Sequence, residues 1–139
     1  MRQVPCFSLS RCLLPAAGLS LTLLLAGCGR ALPELPGFDA PAWRKDPFGC
    51  QSARAAQLPV LEKLRDKLYD ARISDIDAVF GHPDEEELSE QSEKIYIYYT
   101  RSGAQCLPGH PRTATGRVLF RFGATGVLTE VTLPVANKQ

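Results

Sequence analysis

Val60, Leu61, Leu64 and Leu68 recur at helical spacing through LPVLEKLRDKLYDAR, and Glu62, Lys63, Asp66 and Lys67 fill the positions between them. The pattern predicts an amphipathic helix whose single apolar stripe must lie against another layer. Pro59 suits the first turn of such a helix, where its missing N–H costs nothing. The preceding CQSARAAQ reads either as a separate short helix or as a first part kinked at that proline. A second, shorter helix follows. Ser74 is placed as its N-cap, Asp75 and Asp77 favour its positive end, and Ile76, Val79 and Phe80 form its buried side. Gly81 supplies a left-handed stop, and Pro83 holds His82 extended, so FGHP reads as punctuation between elements.

After these helices the period changes to two. KIYIYYTR (94–101) sets Ile95, Ile97 and Tyr99 on one face and Tyr96, Tyr98 and Thr100 on the other. GRVLFRF (116–122) turns Val118, Phe120 and Phe122 inward, with Arg117, Leu119 and Arg121 outward. VLTEVTL (127–133) alternates again, and Gly123 to Gly126 make a compact hairpin loop between these two runs. Helices first and strands afterwards predict an α+β domain: two helices packed on one face of a three-stranded antiparallel sheet. Tyr96 and Tyr98, with Arg117 and Arg121, are expected on the sheet face turned away from the helices. A Tyr/Arg surface has the composition of protein-interface hot spots, although one residue of slip exchanges inside and outside.

The first residues belong to targeting rather than to the fold. Arg2 and Arg11 form a basic start, and LLPAAGLSLTLLL (13–25) is an apolar run of about 13 residues, short of the roughly 20 a membrane-spanning helix needs. It abuts LAGC (25–28). Because LAGC resembles the lipobox of bacterial lipoproteins, residues 1–27 read as a signal peptide, 28–48 as a lipidated start and Pro-rich tether, 49–135 as the domain and 136–139 as a tail. Phe38 and Trp43 are unusual in a tether and are expected either to dock on the domain or to sit at a lipid interface. Removing the signal takes away two basic residues, so the formal charge of +1 becomes −1. A near-neutral exported chain offers no argument for nucleic acid as a partner.

Processing also simplifies the cysteines. Cys6 and Cys12 leave with the signal, Cys28 is the lipidation candidate, and Cys50 and Cys106 remain. Two thiols in an oxidising compartment most simply form one disulfide; free or metal-binding thiols are the competing reading. Six acids lie between positions 84 and 93, with Glu85, Glu86 and Glu87 consecutive. Calcium-loop spacing is absent, leaving a solvated acidic loop or a docking patch for a basic partner. His82 and His110 each precede a proline, no nucleophile elbow or phosphate loop is present, and no catalytic, metal or cofactor site is expected.

The element order is similar to a known family. LAGC resembles the lipobox of bacterial lipoproteins, in which Cys28 would carry the acyl groups. SDIDAVFGHPD (74–84), IYIYY (95–99) and LFRFGATGVLTEV (119–131) resemble the small outer-membrane lipoproteins of the SmpA/OmlA (BamE-like) family, whose fold is related to the β-lactamase-inhibitor-protein repeat. The resemblance implies a non-enzymatic protein of the cell envelope, lipid-anchored in the outer membrane, that binds another protein as scaffold or assembly accessory. An inhibitory or ligand-binding module is the alternative it implies. The Cys50/Cys106 pair, the DPFGC entry and the long 102–115 connection depart from the family's assembly subunit.

Overall fold

A computed structural model describes residues 30–135, so the signal, Cys28 with its expected lipid, and the tail 136–139 lie outside the described residues. Within them the expected α+β architecture and the Cys50–Cys106 disulfide are present. The helices are α1 (Ala40–Arg44), α2 (Ala53–Leu68) and α3 (Ile73–Phe80). The chain treats CQSARAAQ and the Leu61 stripe as one element, because α2 runs unbroken through Pro59. Pro59 is exposed, on the side of the helix away from the core. The buried stripe of α2 is Arg54, Gln57, Leu61, Leu64 and Leu68, polar in its first half. The start of α3 differs from expectation: Arg72 is its N-cap, and Ser74 lies inside the first turn. Gly81 ends it at φ 75°, ψ −175°, a conformation essentially confined to glycine, with its N–H bonded to the Asp77 carbonyl at 2.9 Å.

The packed unit begins well before residue 49. Within the stretch assigned to a tether, Asp39 caps α1 by accepting the Ala42 N–H at 2.9 Å. The Gln57 side chain then grips the Asp39 backbone from both sides, accepting its N–H at 2.8 Å and donating to its carbonyl at 3.0 Å. Trp43 is fully buried, and Phe38 lies 5.5 Å from its ring and 5.0 Å from that of Phe80. Leu32 and Leu35 pack against the same core. Each large apolar side chain buried contributes about 1.5–3 kcal/mol, enough to overcome the freedom a Pro-rich segment would otherwise keep. Of the two fates open to Phe38 and Trp43, docking is the one observed.

The sheet has four strands, not three: β1 (Glu85–Leu88), β2 (Lys94–Tyr99), β3 (Arg117–Phe122) and β4 (Leu128–Thr132), each antiparallel to the next in the order β1-β2-β3-β4. The added strand comes from the acidic run expected as a loop. EEEL has little strand propensity of its own, and forms because β2 offers an edge to it, pairing Glu85 with Ile97 and Glu87 with Ile95. A short strand of glutamates is also a good outer edge, since its charge discourages pairing with another chain.

Tyr96 and Tyr98 are not on the far face. Residues directly opposite on neighbouring strands share a face, and these two stand opposite Phe120 and Val118. They therefore enter the core with Phe120, 4 % and 0 % exposed, while Ile95, Ile97 and Tyr99 take the side of Arg117 and Arg121. Two features overturn the expected assignment. The Tyr98 hydroxyl finds an acceptor in the part-buried Gly81 carbonyl at 2.7 Å, so a tyrosine can be inside. The connection after β2 also crosses the other face, so residues 96–100 are all buried and no polar alternation is left to read.

That packing has a pH signature. Burial first, then the charges of Asp77 and Glu86, pushes the Tyr96 hydroxyl up to about 12. Burial likewise raises Tyr98, and it raises Tyr99, where the Thr113 N–H opposes the rise and Glu85 adds to it. Unfolded tyrosine loses its proton near pH ~10, so above that value the folded state binds more protons than the unfolded one. Stability should be complete below pH ~10 and fall as pH rises beyond it. In a spectrophotometric titration these tyrosinates should appear together with unfolding. Reversible ionisation of all 4 tyrosines near pH ~10 with the fold intact would count against the packing.

Candidate functional site

The frame that positions the molecule's surfaces is a buried ion pair. Arg54, 2 % exposed, reaches from the first turn of α2 to Asp84 at 2.5 Å, in the corner before β1. Its Nε donates to the Trp43 carbonyl at 3.0 Å and its Nη1 to the Tyr99 carbonyl at 3.1 Å. The guanidinium lies 5.3 Å from the Trp43 ring centroid and 5.5 Å from that of Tyr98. Asp84 in turn accepts the N–H groups of Phe48 (2.9 Å) and Tyr99 (2.8 Å). One ion pair thus fastens α1, the Pro47–Gly49 turn, α2 and β2. Gly49 is required at the same point: φ is 67°, and a Cβ there would stand 2.6 Å from the Tyr99 carbonyl oxygen.

The connection from Ser102 to Thr115 forms a cap across the far face of the sheet. Cys106 ties it to Cys50, with Cα atoms 5.8 Å apart. Gln105 is buried and donates to the carbonyls of Phe48 (3.0 Å) and Arg101 (2.6 Å). Further along, Arg112 pairs with Glu85 at 3.1 Å and Glu87 at 2.7 Å, and the Thr113 N–H meets the Tyr99 hydroxyl, which itself donates to Glu85 at 2.8 Å. His110 stacks on Phe48, ring centroids 4.1 Å apart.

Beside this cap lies a wide hollow. Beside its buried stripe α2 carries a second one, Ala55, Leu58, Pro59, Glu62 and Arg65, facing the continuation of β4 through Leu133, Pro134 and Val135. Between them runs a groove of ≈ 700 Å³, with Arg101 on its margin. Aliphatic side chains line it from both sides, Ala55 and Leu58 from α2 and Val131 and Leu133 from β4 and beyond. Its charged groups are Arg101 and the Glu62–Arg65 pair, 3.7 Å apart and substantially exposed. A second hollow of ≈ 460 Å³ lies between the cap and the sheet, lined by Gln105, Thr113, Arg117 and Leu119. The two share Arg101 and Thr132–Val135, so the segment after β4 is a ridge with a concavity on either side. Val135, at its end, is 86 % exposed.

The residues singled out from the sequence are not brought together. Tyr96 and Tyr98 are in the core; Arg117 lines the smaller hollow; Arg121 is occupied by Glu93 at 3.2 Å and Glu130 at 3.0 Å. Glu85 and Glu87 hold the cap, and Glu86 pairs with Lys94 at 3.3 Å. His82 and Asp84 share a shallow hollow of ≈ 390 Å³, where the Asp84 carboxylate already accepts from two backbone N–H groups and Arg54. Among the described residues no group of three or more His, Cys, Asp or Glu is placed to hold a metal ion, and no helix is long and apolar enough to cross a membrane. Comparison with protein-family models, curated proteins and solved structures found no match to this chain. The groove had one faint signal in the sequence: Ala55, Leu58 and Pro59 continue the apolar character of α2 beyond what a single buried stripe uses.

Proposed function

We propose that this chain is a non-enzymatic, lipid-anchored protein of the cell envelope, of the SmpA/OmlA kind, that holds another protein in the groove between α2 and the end of β4. It would act as a scaffold or outer-membrane assembly accessory. The observation that carries this reading is the groove. Its lining sets aliphatic side chains beside Glu62, Arg65 and Arg101, groups that suit the apolar and polar side chains of a bound polypeptide. One of its walls, α2, is fastened to the core through the Arg54–Asp84 pair. The anchor is inferred from LAGC, and several acyl chains on Cys28 would make it stable. The Tyr/Arg sheet face expected as an interface supports neither this reading nor the inhibitory-module alternative, because Tyr96 and Tyr98 are buried.

A photo-crosslinking amino acid placed at Leu58 or Val135 in intact cells tests the reading. Both positions should give an adduct with the same protein, Glu86 on the opposite edge should give none, and Ala55→Glu should abolish both adducts at unchanged abundance. Equal labelling from all three positions, or none from the groove, would refute it.

A further inference from the structure

The chain is fastened to the domain almost immediately after Cys28. The Arg30 N–H donates to the Asp70 carbonyl at 2.7 Å, its Nη2 donates to the Tyr69 carbonyl at 3.1 Å, and Arg30 bridges to Ala71. Leu32 and Leu35 then continue along the core. Only Gly29 separates Cys28 from Arg30, and two residues reach at most about 7 Å when fully extended. Any lipid on Cys28 therefore starts within that distance of a residue docked on the turn between α2 and α3.

That turn belongs to one end of the molecule. Leu128, the first residue of β4, exchanges backbone hydrogen bonds with it, donating to Ala71 at 2.9 Å and accepting from Asp70 at 3.1 Å. Arg72 bridges to Val127, beside the Gly123–Gly126 hairpin loop. Lys94 stands opposite Phe122, which brings the Ser89–Glu93 turn to the same end. At the other end lie Tyr99 opposite Arg117, the Cys50–Cys106 bridge and Val135. A strand of six residues separates the two ends by roughly 20 Å.

We propose that the domain rests directly on the lipid surface, with the α2–α3 turn and the β3–β4 hairpin loop against the headgroups and the disulfide end pointing away. This rests on the reading of Cys28 as acylated. It adds that the anchor is a short strap rather than a flexible tether, and so fixes an orientation. The groove runs along α2 from Arg65 back to Ala55 and past the end of β4 to Val135, so its Val135 end is the one farther from the lipid. A partner in it approaches from the aqueous side and is held at a set height above the bilayer.

The full chain, processed in cells and purified, can be reconstituted in phosphatidylethanolamine/phosphatidylglycerol vesicles containing a headgroup-labelled quenching lipid. A fluorescent amino acid is placed either at Thr125, exposed in the β3–β4 loop, or at Leu107, 59 % exposed beside the disulfide. Quenching should be several-fold stronger at Thr125, and a long Gly/Ser insert between Gly29 and Arg30 should erase the difference. Protein that floats with the vesicles yet is quenched equally at both positions would overturn the orientation alone. Protein that does not float, or floats equally well as Cys28→Ala, would overturn the anchor and the orientation with it.

Discussion

Replacing Arg54 by Ala should destabilise the domain by about 3–5 kcal/mol, the range seen when one partner of a buried ion pair is removed. The two side chains are only 3 % and 4 % exposed, so water cannot solvate Asp84 once its cation is gone. The change also strips the Trp43 and Tyr99 carbonyls of donors and removes a cation from two aromatic faces. For a domain of this size even the lower figure corresponds to a fall in Tm of roughly 10 °C or more. Denaturant unfolding with the disulfide intact measures it. The double replacement Arg54→Met with Asp84→Leu should recover part of the loss, because it leaves no unpaired charge inside. A single-variant loss below about 1 kcal/mol would show that the pair is dispensable.

That pair explains why the sequence gives the architecture more readily than the surface. Leu61, Leu64 and Leu68 announce their helix, and Val118, Phe120 and Phe122 their strand, because burial on one side imposes a period. Cys50 and Cys106 announce their bond through simple arithmetic on the cysteines. Arg54 follows no such rule. Its place in a buried stripe depends on Asp84, 30 residues later, and neither residue marks the other in the linear chain. The same holds for β1, whose glutamates become a strand only beside β2, and for Tyr96 and Tyr98, whose face is decided by what covers the other side. Trp43 and Phe38 lie in a segment whose prolines read as linker, yet two aromatics are enough to pull it onto the core. The groove is least legible, since it is made by two segments more than 65 positions apart that need share no pattern.

Removing the disulfide by Cys50→Ala with Cys106→Ala should cost roughly 4 kcal/mol, from the entropy of closing a loop whose ends are 56 residues apart. Most of that effect belongs to the unfolded chain, which gains freedom when the bridge is absent. The native cap has independent fastenings in Gln105, Arg112 and the stack of His110 on Phe48, and should keep its place. Two signatures follow. The denaturant m-value should rise, because the uncrosslinked unfolded state exposes more surface, while the near-ultraviolet signal of Tyr99 in the folded state should stay unchanged. Combining this change with Arg54→Ala should show non-additivity, since both interactions hold the Pro47–Gly49 turn: Asp84 takes the Phe48 N–H, and Gln105 beside Cys106 takes the Phe48 carbonyl. A loss below about 1 kcal/mol would contradict the chain-entropy account. An altered native tyrosine signal would instead mean that the bridge is what holds the cap on the sheet.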